Sequence, residues 1–361
     1  MTGAAAVTSE EITRRVDTST ITPQATITQA IARLDKAGTG ALLLCGEDRK
    51  LQGLLTDGDV RRAILNGTSL NVPCSSIASQ KPLQAAPAIS QKEALHLMNS
   101  HDVNHLPLVD GDGRITGFVL RKDLVTEKQL ELSAVIMAGG YGTRLRPLTE
   151  HVPKPMLPLG DRPLLELTIE QLRKAGIRRV NVTTHYLADH IVDHFGNGQS
   201  FGVDLNFFTE DHPLGTAGGL KLIDKTDEPM LVLNGDILTD VSYKDFLTYH
   251  RSHRADVTVA VRRYEMQVPY GVVECDGPSV RGLKEKPDVS FLVNAGMYLI
   301  EPVVFGYIPD GKRFDMPDLI QRLLDEGRSV VSYPILEYWL DIGKLSDYQR
   351  AQEDVKNGRL Q

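Results

Sequence analysis

The chain has 361 residues, enough for two or three domains, and its 41% hydrophobic and 24% charged residues are an ordinary balance for a globular protein. A formal net charge of −7 argues against a general nucleic-acid binder, yet leaves room for a cleft of Arg and Lys that takes an anionic small molecule. The three cysteines, Cys45, Cys74 and Cys275, are scattered and form no CxxC or Cys/His cluster, which argues against a disulfide framework or a zinc site and suits a reducing cytoplasm. The first residues have no basic segment followed by an apolar core, so no signal peptide is expected. No apolar stretch reaches the length of a membrane span, so no membrane partner is expected.

After a tail over 1–16, an internal repeat occupies the first third. In the first copy, 17–71, Ile27, Ala30, Ile31 and Leu34 fall at helical spacing, a strand follows over 41–44, and Gly53-Leu54-Leu55-Thr56-Asp57-Gly58-Asp59 leads into a second helix. The second copy, 72–128, starts its helix at Ile89, where Ser90 and Glu93 have the spacing of a capping box. His105 to Val109 is its strand, and Gly117-Phe118-Val119-Leu120-Arg121-Lys122-Asp123 closes it. Gly53 thus corresponds to Gly117 and Asp59 to Asp123. Two copies of such a long unit make a paired module rather than a solenoid.

These residues resemble a tandem pair of CBS domains, α+β modules that often bind adenine or other nucleotides and regulate an attached enzyme. The resemblance implies that Thr56 and Asp59 hold ribose hydroxyls in the first copy. The second keeps Asp123 but has Leu120 where the hydroxyl belongs. A purely structural or dimerising module is the other reading. Pairs of this kind associate face to face, which implies a homo-oligomer.

A polar segment, Thr126-Glu127-Lys128-Gln129, precedes a change of pattern. From 133 to 361, apolar runs at 134–137, 180–183, 231–233 and 257–261 alternate with helices such as 164–174, which Gly176 ends. Alternation of this kind predicts an α/β fold with a mostly parallel sheet and a ligand site beyond the carboxyl ends of its strands.

The first of these runs, from Val135, passes into Gly139, Gly140 and Gly142, then Thr143-Arg144, and Lys154 follows between Pro153 and Pro155. Glycines let backbone N–H groups curl around phosphate, and Arg144 supplies a planar fork of donors. A dinucleotide fingerprint wants a third glycine where Leu145 stands, and a Walker A lysine is followed by Ser or Thr, whereas Lys154 is followed by proline. What the run resembles is the signature of sugar-1-phosphate nucleotidyltransferases: Gly-Gly-x-Gly-Thr-Arg-Leu-x-Pro-Leu-Thr, then Pro-Lys-Pro-Met. Further matches follow in order at Leu214-Gly215-Thr216-Ala217-Gly218, Leu233-Asn234-Gly235-Asp236, Tyr270-Gly271-Val272-Val273, Glu285-Lys286-Pro287, Asn294-Ala295-Gly296 and Trp339-Leu340-Asp341.

The resemblance implies a Rossmann-like nucleotidyltransferase domain behind the CBS pair, joining a nucleoside triphosphate to a sugar 1-phosphate. It implies catalytic roles for Arg144 and Lys154, and a nucleotide cradle of Met137, Gly139, Gly140, Gly142, Thr143, Glu210, Gly215 and Thr216. Mg²⁺ would sit on Asp236 and Asp341, and the sugar phosphate on Gly271, Glu285, Lys286 and Asn294. Glu210 falls where thymidylyl and uridylyl members tend to carry Gln. A carboxylate only accepts, and guanine offers paired N1–H and N2–H donors, so GTP is favoured over UTP. The expected product is a GDP-sugar of the mannose or glucosamine type. A UTP- or dTTP-dependent enzyme, a transferase for a non-sugar phosphate, and a non-catalytic nucleotide sensor are the alternatives. The chain ends soon after the last motif, so the β-helix acetyltransferase domain of some relatives is not expected. His190 and His194, four apart with His185 nearby, have metal-like spacing but no HExxH, and read as a helix face.

Overall fold

Capping boxes decide where the repeat's helices begin. Thr26 and Gln29 exchange side-chain and backbone hydrogen bonds at the head of Ile27–Ala37, and Ser90 and Glu93, as their spacing predicts, do the same at Gln91–Ser100. The structure, a computed structural model, describes residues 9–124, 130, 132–224 and 226–359; the first eight residues of the expected tail and the polar segment 126–129 lie outside them. The chain divides into two units, Met1–Lys128 and Gln129–Gln361.

In the first unit, β1 (Thr20–Ile21), β2 (Ala41–Cys45) and β3 (Leu51–Thr56) form one sheet, and β4 (His105–Val109) pairs with β5 (Ile115–Leu120). The repeat is visible in the register. Gly53 opposes Leu44 and Gly117 opposes Leu108, and each pair is followed at once by a bulge. Both glycines admit a close neighbour: a Cβ would lie 2.9 Å from the Ser79 carbonyl oxygen at Gly53, and 2.9 Å from Ile12 at Gly117. Helix Ser9–Ser19 takes in residues 9–16, for which the sequence pattern predicts a tail. Its Val16 is buried with Leu43, Phe118 and Leu120, and its Arg15 forms an ion pair with Asp123.

The second unit is built on a sheet ordered β10-β9-β6-β11-β16-β13-β17: β6 is Ser133–Met137, β9 Arg179–Thr184, β10 Asp204–Thr209, β11 Met230–Asn234, β13 Val257–Gln267, β16 Asp288–Ile300 and β17 Val330–Pro334. Strands β10, β9, β6 and β11 run parallel, β16 is antiparallel to both neighbours, and β17 is parallel to β13. This is the expected α/β fold with a mostly parallel sheet. Ala134 and Ile136 enter one buried cluster with Leu165, Ile169 and Phe246, while Val135 enters another with Val232 and Leu319, so β6 is buried on both faces. Helix Leu164–Lys174 has the bounds its pattern predicts. Four short strands pair off the main sheet, β7 (Pro158–Leu159) with β8 (Arg162–Pro163) and β12 (Ile237–Thr239) with β18 (Trp339–Asp341). A further pair, β14 (Val272–Asp276) and β15 (Ser279–Lys284), forms a hairpin.

Asp123 accepts the Leu120 N–H as well as the Arg15 guanidinium, and is largely buried. Asp123→Ala removes both partners at once and is expected to destabilise the first unit by about 1–3 kcal/mol. Differential scanning calorimetry of the whole chain should show the transition of that unit lowered and the other unmoved.

Candidate active site

The site is assembled where β6, β9 and β11 end. The chain leaves β6 at Met137, and Ala138 N–H bonds the Thr183 carbonyl of β9. Gly142 has φ +61°, and a Cβ there would lie 3.0 Å from Thr149 Cγ2 and 3.2 Å from Lys154 Cβ. The Thr149 hydroxyl donates to the Gly142 carbonyl at 2.8 Å, folding the loop back on the Pro-Lys-Pro segment. Around Gly140 the space is open. Buried Leu145 anchors the turn Thr143–Leu145 in a cluster with Leu340 and Ile342, so Arg144 is carried to the side of the site that ends in Asp341.

Strand β12 pairs with β18, Ile237 opposite Asp341, and Ile342 N–H bonds the Asp236 carbonyl. That pairing sets the two aspartates side by side. Lys154 Nζ donates to Asp236 Oδ2 at 2.5 Å, with both side chains mostly shielded. Arg144 completes the group: a Cβ on Gly343 would lie 3.4 Å from Arg144 Nη1 and 3.6 Å from Asp341 Oδ1. Burial pushes the Asp341 carboxyl above its ordinary range, the Asp236 carboxylate adds to this, and Lys154 and Arg144 oppose it. The four residues singled out from sequence as catalytic or metal-binding are therefore brought together.

Asp236 Oδ1 and Asp341 Oδ1 are buried with no hydrogen-bond partner. Buried oxygens of this kind need an occupant. Among the described residues no group of three or more His, Cys, Asp or Glu side chains could hold a metal. Two carboxylates fit a hard divalent cation whose other ligands are water and phosphate oxygens. Asn234 Oδ1 is orphaned in the same way, and its Nδ2 would lie 2.6 Å from a Cβ on Gly296. Asn234 belongs to the Leu233-Asn234-Gly235-Asp236 motif, whose expected functional residue is Asp236.

Glu210 is buried, and its Oε2 accepts the Leu214 N–H at 2.8 Å. Its Oε1 borders the glycine loop: a Cβ on Gly139 would lie 3.4 Å away, and one on Gly219 2.8 Å. Burial raises the Glu210 carboxyl above its ordinary range, with the Leu214 N–H opposing. His185 links this region to the loop. Its Nδ1 lies 2.8 Å from the Glu210 carbonyl oxygen, so it donates there, and Nε2 accepts from the Tyr141 hydroxyl at 3.0 Å. Sequence reading had set His185 only beside a possible metal cluster. In the fold His194 lies 3.5 Å from Glu166 and against Phe201 instead.

Other predicted residues are engaged by the protein itself. Gly215 has φ +80°, and a Cβ there would come within 2.5 Å of Asp315 Oδ1. Thr216 N–H donates to Asp315 Oδ1, and the Thr216 hydroxyl accepts the Met316 N–H, so both groups tie down the head of helix Met316–Asp325. Asn294 Oδ1 accepts the Gly296 N–H and its Nδ2 donates to the Tyr298 hydroxyl. Glu285 lies against Gly271, where a Cβ would meet Oε2 at 3.0 Å, and Lys286 has φ +45°. No hydrogen bond or ion pair among the described residues joins Glu285 or Lys286 to Arg144, Lys154, Asp236 or Asp341. In the first unit, Thr56 and Asp59 form a reciprocal capping box, with Asp59 also paired to Arg62.

The family model described as nucleotidyl transferase matches residues 133–358, and that described as CBS domain matches 9–66 and 74–129. A UTP–glucose-1-phosphate uridylyltransferase of Synechocystis sp. is 36% identical over 255 residues, covering 63% of this chain and 66% of that protein. A mannose-1-phosphate guanylyltransferase of Mycobacterium tuberculosis is 34% identical over 242 residues, with the same two coverages. The chain thus spans just under two thirds of the length of these curated relatives. The crystal structure of HddC from Yersinia pseudotuberculosis aligns with a TM-score of 0.50 and 27% identity over 62% of this chain and 99% of its own. With its motifs, sheet and clustered Arg144, Lys154, Asp236 and Asp341 in one domain, the chain belongs to the nucleotidyl transferase family and carries tandem CBS domains ahead of that domain.

Proposed function

We propose that the protein transfers a nucleotidyl group from a nucleoside triphosphate to a sugar 1-phosphate, giving a nucleoside-diphosphate sugar and pyrophosphate. The observation that carries this is the pair of buried, unpartnered oxygens of Asp236 and Asp341 beside Lys154 and Arg144. An oxygen of the sugar phosphate attacks the α-phosphorus, the bond to the β-phosphate oxygen breaks, and its electron pair leaves with pyrophosphate. Both reactants are anionic, so the protein's task is to position them and to offset charge. Lys154, aimed by its flanking prolines, holds the α-phosphate; Arg144 stabilises charge on the leaving group. Asp236 and Asp341 hold Mg²⁺, which when bound neutralises phosphate charge. The backbone of Gly139 to Thr143 cradles the phosphates, Met137 underlies them, and the Gly215 segment closes the nucleotide side. Gly271, Glu285, Lys286 and Asn294 form the sugar side.

Glu210 selects guanine. Its carboxylate accepts and cannot donate, which suits paired N–H donors, and a mannose-1-phosphate guanylyltransferase stands among the relatives. Mannose 1-phosphate or glucosamine 1-phosphate is the acceptor. A UTP-dependent reaction on glucose 1-phosphate is the second reading, favoured by the Synechocystis relative. The first unit binds a nucleotide through Thr56 and Asp59, with Asp123 in the equivalent place of the second repeat, and sets the activity of a homo-oligomer. A reducing cytoplasm suits the free thiols of Cys45, Cys74 and Cys275.

Pyrophosphate release across a matrix of nucleoside triphosphates and sugar 1-phosphates tests the reading directly; GTP with a hexose 1-phosphate and Mg²⁺ is expected to turn over. Arg144→Ala and Asp236→Ala should each lower turnover by at least about 100-fold. Full turnover in both would remove the assignment.

Recognition by Glu210 requires its ionised form. Because burial raises its pKa, protonation on acidification begins at a higher pH than for an ordinary glutamate, and the KM for GTP should rise as pH falls through that range. Glu210→Gln should flatten this acid limb and reduce the preference for GTP over UTP by about tenfold or more. A limb that persists in Glu210→Gln belongs to another group.

Asp59→Ala should weaken nucleotide binding to the full chain, read by isothermal titration, and abolish any effect of that nucleotide on turnover. Unchanged binding would leave Asp59 as a helix cap alone.

A further inference from the structure

The loop that leaves β6 has little of its own to hold it. Gly139, Gly140 and Gly142 carry no side chains, and nothing stands within 4 Å of a Cβ built on Gly140. Glycine-rich backbone loses the most conformational freedom on ordering, so its shape must be imposed by neighbours. Tyr141, at the tip, is 44% exposed and lies outside the buried core. Its support comes from the two residues that follow β9. The Tyr141 ring meets His185 edge-on, with centroids 5.5 Å apart, and stands 5.5 Å from Tyr186. The Tyr186 hydroxyl donates to the Glu150 carbonyl at 2.9 Å, beside Thr149, whose own hydroxyl closes on Gly142. His185 and Tyr186 thus clasp the loop near both of its ends.

The clasp also reaches Glu210. A carbonyl oxygen cannot donate, so the bond to the Glu210 carbonyl fixes hydrogen on His185 Nδ1 and leaves Nε2 to accept from the Tyr141 hydroxyl. The Glu210 N–H donates to the Thr184 carbonyl at 2.8 Å. Both backbone groups of Glu210 are therefore held from the end of β9. A Cβ on Gly139 would lie 3.4 Å from Glu210 Oε1 and 3.4 Å from His185 Cβ, so carboxylate and imidazole border the same point of the loop. We infer that His185 is a positioning residue for the nucleotide: through the Tyr141 hydroxyl it holds the glycine loop in register with Glu210. This rests on the proposed function, in which the loop cradles the phosphates and Glu210 reads the base, and it adds the residue that sets the distance between them. Base and triphosphate are joined through one ribose, so a loop that drifts from Glu210 seats one and misplaces the other. Among the described residues, no hydrogen bond joins Tyr141 or His185 to Gly271, Glu285, Lys286 or Asn294, so the sugar side takes no part.

Steady-state kinetics of the full chain test it. Y141F removes one hydroxyl and keeps the ring. H185N keeps a donor near the Nδ1 position and loses the Nε2 acceptor. Each variant is expected to raise the KM for the nucleoside triphosphate about three- to tenfold, the worth of one neutral hydrogen bond. The KM for the sugar 1-phosphate should stay unchanged and kcat within about twofold. Y141F/H185N should be no worse than either single variant, because both remove the same bond. A residue that only supports the fold would instead lower the melting temperature and act on both substrates alike. Wild-type KM values in Y141F, or effects that multiply in the double variant, overturn the proposal. Hydrogen exchange read by mass spectrometry needs no turnover. The amides of 139–150 should exchange severalfold faster in Y141F than in the wild type, and unchanged exchange there overturns the proposal. If the wild type turns over no nucleoside triphosphate with any sugar 1-phosphate, the proposed reaction falls, and exchange alone then decides whether His185 holds the loop.

Discussion

Two carboxylates held side by side out of water repel each other, and the transferase domain is arranged around tolerating that. Pairing of β12 with β18 brings Asp236 and Asp341 together through the backbone. Burial penalises the ionised form of Asp341, and the neighbouring carboxylate penalises it again. Lys154 and Arg144 offset part of this, and each is brought in by a segment that must itself be held: Lys154 by its prolines, Arg144 by the buried Leu145. The one-to-one hydrogen bond from Lys154 satisfies Asp236 Oδ2 and leaves Oδ1 bare. A core of this composition is a poor way to gain stability and a good way to hold a cation between fixed oxygens.

The same end of the sheet is crowded with backbone, which explains its glycines. A Cβ on Gly235 would lie 2.8 Å from the Met137 carbonyl oxygen, and one on Gly296 would displace Asn234. Strands β6, β11 and β16 thus approach without side chains between them, and the polar groups of Asn234, Asp236 and Asp341 are concentrated there. Glu210 is set against the glycine loop from the neighbouring edge. One narrow region therefore carries the buried Glu210 carboxylate, the glycine loop and the paired aspartates.

Legibility from sequence followed distance along the chain. The glycine loop, the Pro-Lys-Pro segment and the capping box at Ser90 are local, and local rules find them. Asp236 and Asp341 are 105 residues apart, and only the ordered motifs joined them before the fold did. His185 bridges Tyr141 and Glu210, 44 and 25 residues away, through hydrogen bonds that no spacing encodes. Thr216 and Asn294 were legible as motif members, but not the partners that engage them: Asp315 and Met316 for one, Gly296 and Tyr298 for the other. Helix Ser9–Ser19 was missed because its anchor, Arg15 on Asp123, closes over 108 residues. The strand read as 257–261 runs on to Gln267 because a pattern of burial ends where burial ends, while hydrogen bonding to β16 does not.

That last difference bears on how the two ends of the sheet divide their work. Where β13 and β16 lie between neighbours, their side chains are fixed by packing on both faces, and the site beside them inherits that rigidity. Where they pass Val261 the two strands pair with each other, and Arg262 Nη1 ties the base of the ribbon to the Ile335 and Glu337 carbonyls. Gly271, Glu285 and Lys286 stand on this less supported part, with Lys286 held at a φ that side chains seldom adopt. Arg144, Lys154, Asp236 and Asp341 stand on the packed part. The clustered cations and carboxylates thus rest on the packed core, and the segments of Gly271, Glu285 and Lys286 on the two-stranded ribbon and its hairpin.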